Sequence, residues 1–420
     1  MVKYRIKKGD FVSSVTWLDF SETHQQKLNE ALKTFEEKGT VDDLGFGSIR
    51  DVISGSFFPG TSVLQTRAKY FLLIPWVYQY AESRWGNQLQ AKAADLERKL
   101  IAALMESDDT DGVIGSSRGK DLKNLPSSIY WSGLQTFGIF LLKGRGIRHY
   151  ARMSNKSSDG TEFEGEFDQV SKSFWNKLPS APPEFFSFKF AELALTKEEA
   201  VWLSERFMSA QSILGRPNLL SELVRSIQNN DHSFLDSNYV WDVTFSDQVD
   251  RDLRSLVEHS RHFSQLAHGA SLLYNLMLTE ALTEKGREIS FEFDYPDRLS
   301  EWILESKSSG LMQWCGEINL FWDCLDALDN KIPEKAKIFV TQLARLIATD
   351  GLDGFTSNQD IRDLIKEREK NHKRHQARFF NDSRLNAYQG EAGLRPMNFR
   401  WNLVCRLFSD IATAYELESR

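Results

Sequence analysis

The chain has 420 residues, 41% of them hydrophobic, with 52 basic against 59 acidic side chains and a net charge of −7. That balance excludes a protein that coats nucleic acid through bulk charge, so any polyanion contact has to come from a local basic patch. The length is more than one compact core usually organises, and the apolar periodicities set out below predict a mainly α, multidomain protein.

Ser21 is placed to cap a helix running to about Lys38, with Leu28, Ala31, Leu32 and Phe35 on one face and Gly39 at its end. The block that follows is the most distinctive of the chain. It runs from Asp42 to Asp51 and on through Phe57-Phe58-Pro59-Gly60 to Arg67 and Lys69, crowding turn glycines and two cations in front of an apolar segment. A helix is expected over Thr66 to Trp85, kinked or broken at Pro75, and another from Gln88 to Glu106, where Leu96, Leu100 and Leu104 repeat every four residues. Arg67 enters an apolar helix and needs fixed acceptors, which we expect from the turn Gly45 to Asp51.

Pro126 opens a helix to Phe137. Residues 139–143 and 147–153 then flank Gly144-Arg145-Gly146, a composition that suits a short β-hairpin. The Pro- and Ser-rich residues 154–190 read as an irregular connection. This divides the chain into an N-terminal helical domain at 1–153, the connection at 154–190 and a C-terminal helical domain at 191–420. In the latter, Thr196 and Glu199 form a capping box for a helix to about Gln211, and Leu253 to Leu282 reads as one long buried helix, bent near Gly269. Further helices are expected at 300–305, 319–328, 333–348, 359–379 and 399–417.

Cys315, Cys324 and Cys405 contain no CxxC pair and would leave an odd thiol after one bridge, which fits a reducing, cytoplasmic setting. The basic amino terminus has no apolar run behind it, and the apolar stretch 71–77 is interrupted by Pro75, so neither a signal peptide nor a membrane span is expected.

Catalytic motifs fail on their spacing. Gly45-Phe46-Gly47 lacks the third glycine of a dinucleotide fingerprint, and Gly115 to Asp121 is one residue short of a P-loop and ends on Asp where Ser or Thr is needed. His259, His262 and His268 do not converge on one helix face, so no metal site is assigned. No cofactor and no catalytic residue is assigned either.

The order helix, helix, hairpin over about residues 88–153 resembles a winged helix-turn-helix unit. In that reading Ser127, Ser128, Trp131 and Gln135 lie on or beside the groove-facing surface, while Lys143, Arg145, Arg148 and Arg152 place positive charge on the wing and its flanks, where phosphates can be met. The Arg67 and Lys69 pair is a second candidate contact. A third is the basic segment 366–378, with Arg368, Lys373 and Arg374, whose bland alternative is a solvated surface. Phe399 and Trp401, beside Arg400, have the composition of an exposed docking surface.

Taken together, Ser14 to Asp19, the block Leu44 to Arg67, Pro126 to Trp131, His268 to Asn275 and Arg400-Trp401 resemble the recurring motifs of an uncharacterised bacterial family, domain of unknown function family 6361, over nearly the whole chain. The resemblance carries no catalytic residue. It implies a setting, since some members lie in anti-phage defence gene neighbourhoods beside helicase-like and phospholipase-D-like nuclease genes. The expected function is therefore a non-enzymatic nucleic-acid-binding or adaptor subunit of a defence complex, with DNA and helicase-like or nuclease-like subunits as partners and no membrane association. The alternatives are a metal-dependent nuclease built on Asp19, Asp42, Asp43 and Asp51, and a protein–protein scaffold.

Overall fold

The computed structural model describes residues 42–116, 122, 124–158, 173–210, 217–245, 249–287, 294–328, 332–390 and 395–416. The helix expected at Ser21 to Lys38, and Asp19 with it, lies outside the described residues. What is described is mainly helical, and the extended pairing within it is an isolated antiparallel bridge between Phe140 and Trp175.

Helix α1 (Gly47–Phe57) opens where the Asp42 carboxylate accepts the backbone N–H groups of Phe46 and Gly47 at 2.7 and 2.8 Å, satisfying donors that have no partner within the helix. Helix α2 (Tyr70–Trp85) buries residues on every side over its first nine positions, as a core helix does, and it continues through Pro75. Along α3 (Leu89–Met105), Leu89, Ala93, Leu96, Leu100 and Leu104 supply the buried stripe that packs on α2. Helix α4 (Pro126–Thr136) begins on proline, whose missing N–H costs nothing at that position.

Residues 147–153 correct the expectation of a hairpin, because they belong to helix α5 (Ile147–Ser158). Tyr150 and Ser154 are both buried and stand four apart, so the period that decides this segment is helical. Residues 139–143 contribute the single bridge at Phe140. The wing of a winged helix-turn-helix is therefore replaced by a glycine turn and a helix.

In the second half, α6 (Lys197–Met208) carries the capping box as expected. Glu199 N–H donates to Thr196 Oγ1 at 3.3 Å, and Thr196 N–H donates to Glu199 Oε2 at 2.8 Å. Helix α7 (Leu219–Gln228) follows, capped by Asn218. The long α8 (Arg251–Glu284) packs against α1 and against α9 (Tyr295–Ser308), α10 (Leu311–Gly316), α11 (Ile318–Asp326), α13 (Gln359–Lys373) and α14 (Asp382–Asn386). Helix α12 (Glu334–Asp350) covers α10 and α13, and α15 (Trp401–Glu416) returns to pack on α6 and α7. No helix among the described residues is long and apolar enough to cross a membrane.

One contiguous apolar cluster runs from Leu44 to Ala414. Polar contacts cross the division expected at residues 154–190 as well. Lys69 pairs with Glu199 at 2.5 Å with both side chains 4% exposed, and Arg67 reaches Asp410 at 2.8 Å.

Candidate nucleic-acid interface

The best-formed basic surface is built on a layer of buried rings. Trp131, Phe140, Tyr150 and Trp175 pack together, with Phe140 centroids 4.7 Å from Trp131, 5.3 Å from Tyr150 and 4.9 Å from Trp175. The polar edges of these rings then fix the backbone above them. Trp131 Nε1 donates to the Arg145 carbonyl at 3.0 Å, Gln135 Nε2 donates to the same oxygen at 2.6 Å, and Gly144 N–H returns a bond to Gln135 Oε1 at 2.8 Å. Gly144 has φ +69°, which a residue without Cβ adopts readily. Tyr150 Oη donates to Glu82 at 2.6 Å and accepts from Trp175 Nε1 at 3.0 Å, locking α5 onto the layer.

With Tyr150 and Ser154 turned inward, Arg148 and Arg152 take the opposite face of α5, and both are exposed. Their four-residue spacing corresponds to a rise of about 6 Å along the axis. Lys143 and Arg145 are exposed on the turn that leads into the helix. Among the described residues, none of the four enters an ion pair, and the nearby Glu82 carboxylate is committed to Tyr150.

The other expected contacts lie elsewhere and have internal work. Ser127 is buried, with its N–H and hydroxyl donating to Glu97 at 2.7 and 2.8 Å, and Gln135 holds the turn from beneath. Ser128 donates to the Leu125 carbonyl at 2.7 Å, a bond local to the start of α4. Arg67 is anchored by Asp410, Asp109 and the Asp111 carbonyl rather than by the Gly45 to Asp51 turn, and Lys69 is sealed against Glu199.

It is Arg368 that binds that turn. Its Nε donates to the Leu44 carbonyl at 2.7 Å, Nη2 to the Gly45 carbonyl at 3.1 Å and Nη1 to the Lys335 carbonyl at 3.1 Å, with burial lowering its pKa and the Asp42 charge opposing. Lys373 contacts Asp43, which also takes Arg378 Nη1 at 2.8 Å. Burial and the Arg378 charge pull the Lys373 ammonium down, while the Asp42 charge works the other way. Buried Glu369 accepts from Arg378 N–H at 2.8 Å and Phe379 N–H at 3.1 Å and from the Tyr274 hydroxyl. Of the cations on this segment, Arg368 is buried and Lys373 partly buried, while Lys370 and Arg374 are exposed, the latter at a φ of +53°. Phe399 and Trp401 are fully buried, which overturns their reading as an exposed docking surface.

The carboxylates considered for metal chemistry are likewise engaged. Asp42 caps α1, Asp43 holds two cations, and Asp51 pairs with Arg50 at 3.0 Å. His259 Nδ1 accepts from Trp314 Nε1 at 2.8 Å, and His262 faces Glu258 at 3.1 Å.

Sequence reasoning passed over Glu97, whose carboxyl is fully buried on α3 and pushed up to about 7 by burial against the lowering effect of the Ser127 bonds. Its position one residue after Leu96 on the buried stripe was the available signal.

The fold and the surface together define a mainly helical protein with a locally basic face. The chain belongs to a family of unknown function, DUF6361, whose family model matches residues 12–415. No curated protein and no solved structure matches it.

Proposed function

We propose that this protein is a non-enzymatic nucleic-acid-binding subunit, and that Lys143, Arg145, Arg148 and Arg152 make the contact. One observation carries the reading. Four exposed cations stand together on a turn and helix held from below by buried rings and carbonyl bonds, in a chain whose net charge is −7. The backbone that carries Arg145 is already held, and a local patch suffices where bulk charge is unfavourable.

The nuclease alternative is less favoured, because Asp42, Asp43 and Asp51 already serve as a helix cap and as ion-pair partners. What supports helicase-like or nuclease-like partner subunits in an anti-phage setting is the gene-neighbourhood resemblance. The test is fluorescence anisotropy with labelled nucleic acid and the Arg145→Ala/Arg148→Ala variant. Weakened binding in a variant with unchanged melting temperature is expected. Unchanged affinity removes the assignment, and magnesium-dependent cleavage by the purified protein, lost in Asp43→Asn, would replace it with the nuclease reading.

A further inference from the structure

Resting on that reading, we infer that the ligand is the phosphate backbone of a duplex, bound without reading its bases. Sequence readout needs side chains that reach base edges, and the amide and hydroxyl side chains expected there from the sequence are occupied within the fold. Gln135 spends both ends of its amide on the Gly144–Arg145 turn, and Ser127 is held by Glu97. Ser128 is tied to Leu125.

Single strands are gripped mainly by aromatic stacking platforms. The rings beneath this surface, Trp131, Phe140, Tyr150 and Trp175, are buried at 3% exposure or less and packed on one another. Among the described residues, the large exposed phenylalanines are Phe190 and Phe380, neither of which is part of this turn and helix. What the face presents is charge: Arg148 and Arg152 one helical turn apart, with Arg145 and Lys143 ahead of them. Such an array matches closely spaced phosphates, and its arginines would read bases only by entering a groove as bidentate forks on guanine, which unequal affinity for two duplex sequences would reveal. The shared chemistry is a duplex backbone, which DNA and RNA both supply.

The experiment measures anisotropy with the full chain on two duplex DNAs of unrelated sequence, a duplex RNA and the component single strands, between 50 and 200 mM salt. The expected result is affinity equal within about threefold among the duplexes and weaker on single strands. Four phosphate contacts predict a log–log salt slope of about −3.6, or roughly a hundredfold loss across that range. Arg148→Ala/Arg152→Ala should reduce the slope by about two. A tenfold preference for one duplex sequence, for DNA over RNA or the reverse, or for single strands overturns this inference while leaving nucleic-acid binding in place. Absence of binding to every one of these polymers overturns the proposed function itself.

Discussion

Replacing Arg67 by alanine removes the centre of a polar joint between the start of α2 and α15. Arg67 Nε donates to both Asp410 oxygens at 2.8 and 3.1 Å, and Nη1 donates to Asp109 at 2.7 Å and to the Asp111 carbonyl at 2.8 Å. The side chains of Arg67 and Asp410 are 11% and 9% exposed, whereas that of Asp109 is 56% exposed. The Asp109 bond is therefore worth at most about 1 kcal/mol, and the Asp410 pair decides the outcome. Burial already raises the Asp410 carboxyl while Arg67 lowers it, so the variant leaves a buried carboxylate with the Ala68 N–H, at 2.8 Å, as its remaining backbone donor. Breaking one side of such a pair costs about 3 kcal/mol. Arg67→Ala/Asp410→Ala should cost less than the sum of the single variants by about 1.5 kcal/mol or more, since the uncompensated charge goes with the double replacement. Urea unfolding followed by far-UV circular dichroism and tryptophan fluorescence measures both quantities, provided the slope m is unchanged. An unaltered midpoint in Arg67→Ala together with lost nucleic-acid binding would refute the structural role and assign Arg67 to the interface.

Two further outcomes are expected. Glu97 titrates near 7 when folded and near 4.5 when unfolded, so between these values the folded state holds a proton that the unfolded chain has released, and stability falls as pH rises through that window. The loss is about 1.4 kcal/mol per pH unit, and a Glu97→Gln variant should flatten the profile measured by urea midpoints at pH 5, 6, 7 and 8; parallel curves for the two proteins would remove Glu97 as the cause. Gly269→Ala should destabilise by about 1–3 kcal/mol, because a Cβ there overlaps the Trp302 indole, which is itself fixed by its bond to the Gln265 carbonyl at 2.9 Å and by Phe355. Alanine's better helix propensity works in the other direction by only about 1 kcal/mol. A raised melting temperature would show that Trp302 yields.

Local chemistry was readable from the amino-acid order. The Thr196 capping box, the proline at the start of α4, the leucine stripe of α3 and the extent of α8 all follow from contacts within a few residues along one helix. Helix α7 was not among the expected helices, although Asn218 as cap and Leu219, Leu220, Leu223, Val224 and Ile227 at helical spacing carried its signal. Even the burial of Arg368 had a signal, since it falls seven residues after Ile361 and three after Ile365, on the apolar stripe of α13.

Which acceptors would meet Arg67 and Arg368 was not legible. Those partners are up to 343 and 324 residues away, and a helix period says which side faces inward without saying what stands opposite. The same limit turned an expected hairpin into α5. Tyr150 and Ser154 set a helical face, but only the buried layer of Trp131, Phe140 and Trp175 made that face the inner one and left Arg148 and Arg152 outside. Sequence determined where charge and helices occur; packing between distant segments decided which cations became part of the interior and which remained on the surface, because a buried guanidinium needs fixed acceptors that only the folded chain can bring to it.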